Sequence, residues 1–388
     1  MRVALVCLCR FGGTLLCGRK LAAALAKLGD LDLMYIGSRD AVYEGGDALD
    51  RTDVPKLLVS SGKGKMGNLL QSLNPLNYGR ILGQVRRFSP DVVHFVTTHA
   101  WHMVLIPALR RYVSVCTIHD PVMHLGAESR FYAGLTGIQA ALADRAIVLS
   151  EALRASLCRF GKPESKVEVV PLGELGSDGA FQEVPRRGQI LFLGRFEHYK
   201  GIDLLVDAFR VVKKKHPEFS LLVAGRGELT SKLAALGPSD GIRVCNRWLS
   251  EEEVNRFCVE SDGVVLPYLE ATQSGVAAKA QALGRPVIVT KVGGLPEQIE
   301  DGITGYAVPP NDAVALAQAM ERLLLDRERL SLMGSAAWKL YHQKYGWPAI
   351  ASETVEVYRR ARMDRLTFGA SNVLTGIKAL WVGVLSRR

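Results

Sequence analysis

Short, unbroken apolar runs recur along this chain, each followed by a polar loop and then by apolar residues at helical spacing. Residues 2–9 make the first such run, Gly12-Gly13-Thr14 a tight turn, and Leu15, Leu21, Leu25 and Leu28 the face of a helix that stops at Gly29. Further strands are predicted over 31–36, 54–59, 91–96, 113–118, 146–150 and 167–171. After Pro75, the apolar residues Tyr78, Ile81, Leu82, Val85 and Phe88 recur at helical spacing, with Arg80, Arg86 and Arg87 elsewhere around the helix. That pattern predicts a helix covering the sheet; a helix lying on a membrane is the alternative. Residues 173–187 have linker composition. Strands are predicted again over 190–193, 220–224, 242–248, 263–266, 286–290 and 306–308, with helices after Gly201 and Gly275 and over 251–260 and 312–345. Strand–helix alternation over two stretches predicts an α/β protein of two doubly wound parallel sheets.

The 388 residues suffice for two ordinary domains, and 48% apolar with 23% charged residues is the balance of a globular protein. The apolar run at the N-terminus is too short for a signal peptide, and no run reaches the ~18 residues of a membrane-spanning helix. The net charge of +10 is uneven: +4 over residues 1–185, zero over 186–358 and +6 over 359–388. A basic tail suits an anionic membrane surface, and nucleic acid is not an expected partner. Seven scattered cysteines with no C-x-x-C pair argue for a reducing compartment, without disulfides or zinc.

Candidate chemistry lies in the loops that follow strands. ILFLGRFEHYKGIDLL, residues 190–205, is a strand, a glycine-bounded loop and a helix start, the arrangement with which α/β proteins hold anions. Its Arg195 offers a planar fork to one phosphate and its Lys200 a point charge to another. His119 ends a buried run and precedes Asp120-Pro121 at a sheet edge, which favours a functional role, whereas His94 sits within its strand and reads as structural. The Gly225-Arg226-Gly227 turn, the loop from Glu270 to Gly275 and the turn from Gly293 to Glu297 follow strands too, so all of them can converge with Arg195 and Lys200. Asp30 and Asp32 form a D-x-D at a strand start and read as surface acids, so no metal is assigned.

In this order the motifs resemble the nucleotide-sugar glycosyltransferases of family 4. The matching pieces over residues 188–330 are LFLGRFEHYKGIDLL, LLVAGRGE, PYLEATQSGV and ALGRPVIVTKVGGLPEQIEDGITGYAVPPND; the Gly12-Gly13 turn, DVVHF and TIHDP match more loosely. The resemblance implies the GT-B fold: an acceptor domain over 1–180, a sugar-nucleotide domain over 181–346, a cleft between two Rossmann-like domains, and a helix over 347–365 crossing back to the first. It also implies that Arg195 and Lys200 bind the donor diphosphate, that His119 lies near the donor sugar, that Gly12 and Gly13 form a loop at the reaction centre, and that Glu297 is the acid of the GGLPE loop. Gly227, Glu270, Gln273, Ser274 and Gly275 complete the donor-binding set. The family's two glutamates eight positions apart are replaced here by Ala271 and Lys279; Glu270 is the candidate substitute for the first, and Lys279 stands where a glutamate typically holds the ribose.

The expected function is retaining, metal-independent transfer of a sugar, of hexosyltransferase type, from a UDP- or GDP-type donor to a glycan or lipid-linked saccharide. No cofactor is expected beyond the donor. Arg195 and Lys200 can stabilise the departing diphosphate, and with no carboxylate nucleophile in view a front-face reaction assisted by His119 is preferred. The tail over 366–388, with Leu366, Val373, Leu374, Ile377, Leu380, Trp381, Val384 and Leu385 on one helical face and Arg359, Arg360, Arg362 and Arg365 before it, suits a membrane interface; packing on the first domain is the alternative. The expected location is cytoplasmic, peripheral on the inner membrane face, and polysaccharide biosynthesis is the expected setting. A GT-B sugar-nucleotide epimerase and a non-catalytic partner of other transferases, for which Lys279 argues, are the rivals.

Overall fold

The computed structural model describes residues 1–42, 49–62, 71–119, 130–173 and 181–368. They divide into two units. One takes the residues up to Pro171 together with those from Trp347 on, and the other takes Leu172–Gly346.

The first unit is built on seven parallel strands: β1 Arg2–Cys7, β2 Asp32–Ser38, β3 Lys56–Val59, β4 Val92–Phe95, β5 Val113–Ile118, β6 Arg145–Val148 and β7 Val167–Val169. Their order is β3-β2-β1-β4-β5-β6-β7, so the winding reverses between β1 and β4. β1, β4, β5 and β6 read as continuous apolar runs because both faces are covered, and all their residues but Arg2 are buried. The helix Pro75–Phe88 covers the sheet as its spacing predicts, burying Ile81 and Val85.

The helix Trp347–Phe368 packs against the helix Gly13–Lys27 and β5. A string of ion pairs ties it to its own unit: Asp364 with Arg145 and Lys166, both at 2.7 Å, Arg360 with Glu168 at 2.9 Å, Arg362 with Asp91 at 3.1 Å and Arg365 with Asp144 at 3.3 Å. These arginines stand just before the tail that the sequence assigns to a membrane interface. Arg360, Arg362 and Arg365 are engaged within the unit, and Arg359 pairs with Glu356 one turn away. The tail beyond Phe368, Asp120, Pro121, Lys63 and Lys65 lie outside the described residues.

The second unit has six parallel strands: β8 Gln189–Leu193, β9 Ser220–Gly225, β10 Ile242–Asn246, β11 Gly263–Leu266, β12 Val287–Thr290 and β13 Gly305–Val308. In the order β10-β9-β8-β11-β12-β13 the winding reverses between β8 and β11. β10 is an edge strand and ends at Asn246, short of Trp248, because its neighbour β9 ends at Gly225, opposite Asn246; Arg247 then pairs with Glu253 of the helix Glu251–Glu260 at 2.9 Å. The helical stretch expected over 312–345 is two helices, Ala313–Leu325 and Arg327–Leu340, broken at Asp326, whose side chain accepts the Arg329 N–H; a π-type turn, Tyr341–Tyr345, follows.

Candidate active site

In an open parallel sheet, loops on either side of the winding reversal diverge at the carboxyl edge and leave a crevice for a ligand. In the second unit those are the loops after β8 and β11. The β8 loop carries Arg195, makes a single helical turn at His198–Lys200 and enters the helix Ile202–Lys215 through Gly201. Gly201 has φ +67°, and a Cβ there would stand 1.9 Å from the Pro267 carbonyl oxygen, so only glycine lets the two loops touch. Beside that contact the Leu269 N–H donates to the Tyr199 carbonyl at 2.8 Å.

This clamp fixes Lys200. Its Nζ stands 3.7 Å from the ring centroid of Tyr268 and 4.8 Å from that of Tyr199. No carboxylate pairs with it among the described residues. A ring face stabilises an ammonium by about 1 to 2 kcal/mol without neutralising it, which leaves the charge for an incoming anion. Arg195 is 71% exposed and rests on Glu197, Nη1 to Oε1 at 2.6 Å. Exposed pairs contribute at most about 1 kcal/mol, so a diphosphate can displace this one.

Tyr268, which sequence reasoning passed over, is the centre of the crevice wall. It is fully buried, its carbonyl accepts the Thr290 hydroxyl at 2.5 Å, and its hydroxyl meets Ser274 Oγ at 3.3 Å. Ser274 is clamped by Gln298, which accepts the Ser274 N–H at 2.8 Å and donates to its carbonyl at 3.0 Å. Gly275 opens the helix Gly275–Ala282, and Gln273 Oε1 accepts the Leu172 N–H at 3.1 Å. The turn after β12 joins the same wall through the Gly294 N–H, which donates to the Thr272 carbonyl at 3.1 Å. Glu270 and Glu297 are half-buried, and the Glu297 carbonyl accepts the Tyr345 hydroxyl at 2.7 Å.

Two members of the expected set are held differently. Gly227 has its amide engaged by Asn246, which accepts the N–H at 3.1 Å and donates to the carbonyl at 2.9 Å. Lys279 is 6% exposed, with Nζ 3.8 Å from Oε1 of the half-exposed Glu251. Glu251 begins its helix 28 positions before Lys279, and an acid in a helix's first turn gives no signal of such a partner.

Gly12, Gly13 and His119 belong to the first unit, at the carboxyl ends of β1 and β5. Gly12 has φ +82° and precedes the helix Gly13–Lys27. His119 is buried, and its Nε2 donates to the Val96 carbonyl at 3.1 Å, a bond that fixes the ring's orientation. His94 is structural: both ring nitrogens are bonded, to Tyr358 at 2.7 Å and Thr117 at 2.8 Å, and burial pushes its pKa down to about 3. Asp32 is a surface acid paired with Arg2 at 3.1 Å, and all seven cysteines are free thiols. No helix among the described residues is long and apolar enough to cross a membrane.

Residues 18–173 match the family model described as Glycosyltransferase Family 4, and residues 187–326 that described as Glycosyl transferases group 1. An uncharacterized glycosyltransferase of Methanocaldococcus jannaschii is 31% identical over 233 residues, 55% of this chain and 60% of its own length. A glycogen synthase of Mycobacterium tuberculosis is 27% identical over 301 residues, 72% of this chain and 71% of its own. The chain thus spans less than two thirds of the first of these relatives. The solved structure of Anabaena HepE in complex with UDP superposes with a TM-score of 0.72 at 16% identity, covering 93% of this chain and all of that one. Between them the two family models take in both units, each with its winding reversal, and the chain belongs to the group 1 and family 4 glycosyltransferases of GT-B fold.

Proposed function

We propose that this protein transfers a sugar, with retention of anomeric configuration, from a nucleoside-diphosphate sugar to a glycan or lipid-linked saccharide. The observation that carries the reading is Lys200, an ammonium held over the Tyr268 ring at the winding reversal of the second sheet, with Arg195 on the same loop. Breaking the sugar–phosphate bond leaves two negative charges on the departing diphosphate. Lys200, held before the reaction, and Arg195, drawn onto the diphosphate, stabilise that charge more in the transition state than in the bound donor, which raises kcat. In this reading the transfer is metal-independent, with the two cations supplying the charge that the step needs.

A front-face route fits these groups: the sugar–oxygen bond to phosphate breaks, the acceptor hydroxyl adds from the same side, and its proton passes to the released phosphate oxygen. His119, oriented by the bond from Nε2 to the Val96 carbonyl, is assigned a positioning role toward the reacting groups. For the ribose we assign Glu251, a carboxylate held beside Lys279 where the family has its second glutamate. HepE, whose solved structures include complexes with UDP and with UDP-glucose, makes a UDP-sugar the first donor to try. A membrane-facing acceptor and a location on the inner membrane face complete the reading.

The test is a thermal-shift panel of UDP-, GDP-, ADP- and dTDP-sugars, followed by product analysis with the donor that binds. Stabilisation by one donor class and a glycosylated acceptor are expected. An altered free sugar without acceptor would mean an epimerase, and no binding at all a non-catalytic partner. Lys200→Ala is expected to lower kcat by about 2 to 4 kcal/mol, roughly 30- to 1000-fold, with a smaller change in KM. A near-normal kcat removes its assigned role.

A further inference from the structure

The helix Pro75–Phe88 buries Ile81 and Val85 on the sheet, and its other side is unlike an ordinary solvated surface. Leu73, just before it, is 72% exposed and Leu76 in its first turn 67%. Leu76, Arg80, Gly83 and Arg87 follow one another along the outward stripe at helical spacing, with Gly79 and Arg86 beside it. Arg80, Arg86 and Arg87 are exposed, and none has a hydrogen-bond or ion-pair partner among the described residues, whereas Arg360, Arg362 and Arg365 on the last helix are all paired. At Gly79 and Gly83 a Cβ would meet nothing within 4 Å, so the outer face is smooth where side chains would otherwise stand.

Charge points the same way. From residue 54 to 90 the sequence holds six lysines and arginines and no aspartate or glutamate, more than half of the net +10 in a tenth of the chain. Nearby acids are committed elsewhere: Asp50 pairs with Lys56 and Arg19, and Asp40 accepts from Ser60 and the Gly62 N–H.

We propose that this outer face is a docking surface for an anionic lipid bilayer, with Arg80, Arg86 and Arg87 at the headgroups and Leu73 and Leu76 entering the acyl boundary. Arginines alone would suit any polyanion, and exposed leucines alone any apolar partner. Leucines set among unpaired arginines, on a face smoothed by glycine, fit a surface that is anionic outside and apolar beneath. The surface requires neither the tail nor sugar transfer; it rests on the membrane location within the proposed function, and flotation tests it separately from donor binding and product analysis.

Flotation of the full-length protein with vesicles of phosphatidylcholine and phosphatidylglycerol, against phosphatidylcholine alone, tests it. Binding to the anionic vesicles only, weakened by salt, is expected. The triple variant R80Q/R86Q/R87Q should lose roughly 100-fold in partitioning, and L73S/L76S should also lose binding. Leu76→Trp, at an exposed position, serves as a reporter that needs no loss of function: its fluorescence should shift to the blue on anionic vesicles. Variants that float like the parent, an unshifted emission, or RNA binding that falls with the arginines and ignores the leucines would overturn the proposal.

Discussion

Lys200 and Lys279 show how differently one side chain is used at two points of the same sheet edge. Lys200 lies over an aromatic face and keeps its charge unneutralised; Lys279 is buried with a carboxylate within 4 Å. Glu251 is therefore the group to test at Lys279. Glu251→Gln removes a carboxylate assigned to the ribose and should weaken donor binding by about 1.5 to 3 kcal/mol, roughly 10- to 100-fold, with kcat changed little. Isothermal titration with the donor, alongside the melting temperature, separates this from simple destabilisation, and an unchanged Kd removes Glu251 from the site. Tyr268 gives no comparable sequence signal. A Pro-Tyr pair after an apolar run has no period of its own, and only the packing of β8 against β11 brings that ring under Lys200.

At the scale of elements, the strands were legible because parallel strands covered on both faces are short apolar runs bounded by glycine or polar loops. The helices Arg130–Leu142 and His102–Ala108 were not. The first, RFYAGLTGIQAAL, is apolar around much of its circumference, and the second is seven residues long with Pro107 inside, so neither shows a helical period. Arg195 and Lys200 were legible because a glycine-bounded loop after a strand is a local pattern; the Glu251–Lys279 pair, 28 residues apart, is not local. One element depends on a buried cation within the ALGRPVIV stretch. Arg285, between the helix Gly275–Ala282 and β12, is fully buried and donates to the carbonyls of Cys258, Gly284 and Glu183 at 3.1, 3.3 and 3.0 Å. Burial pulls its pKa down to about 10, and it remains charged at neutral pH. Arg285→Leu strands two buried carbonyls and a part-buried third and should cost about 3 to 5 kcal/mol, read as a lower denaturant midpoint of the second unit. A loss under about 1 kcal/mol would mean that those carbonyls find other donors.

For the whole molecule, the first unit is the acid-sensitive part. His94 and His102 are fully buried, and burial pushes both pKa values down to about 3, below the ~6.5 of an unfolded histidine. Both are neutral in the folded protein, so the unfolded chain binds more protons between these values. Stability is complete above about pH 6.5 and falls as pH drops toward 3, by about 2 kcal/mol per histidine at pH 5. Chemical denaturation at pH 7 and pH 5 should show the first unit losing stability over that range, and His102→Asn should flatten the dependence; a slope that His102→Asn leaves unchanged would assign it to other groups.

The last helix also decides when each half can be finished on the ribosome. Leu172–Gly346 is one continuous stretch and can close its sheet as soon as it has emerged. The first-made strands must wait for Tyr358, whose hydroxyl holds His94, and for Asp364, which pairs with Arg145 and Lys166. Multidomain chains ordinarily complete their N-terminal domain first during synthesis. Here the order of completion is reversed: all seven strands of the first unit emerge before residue 170, and while the second unit is translated their sheet lacks the helix Trp347–Phe368 that packs on β5.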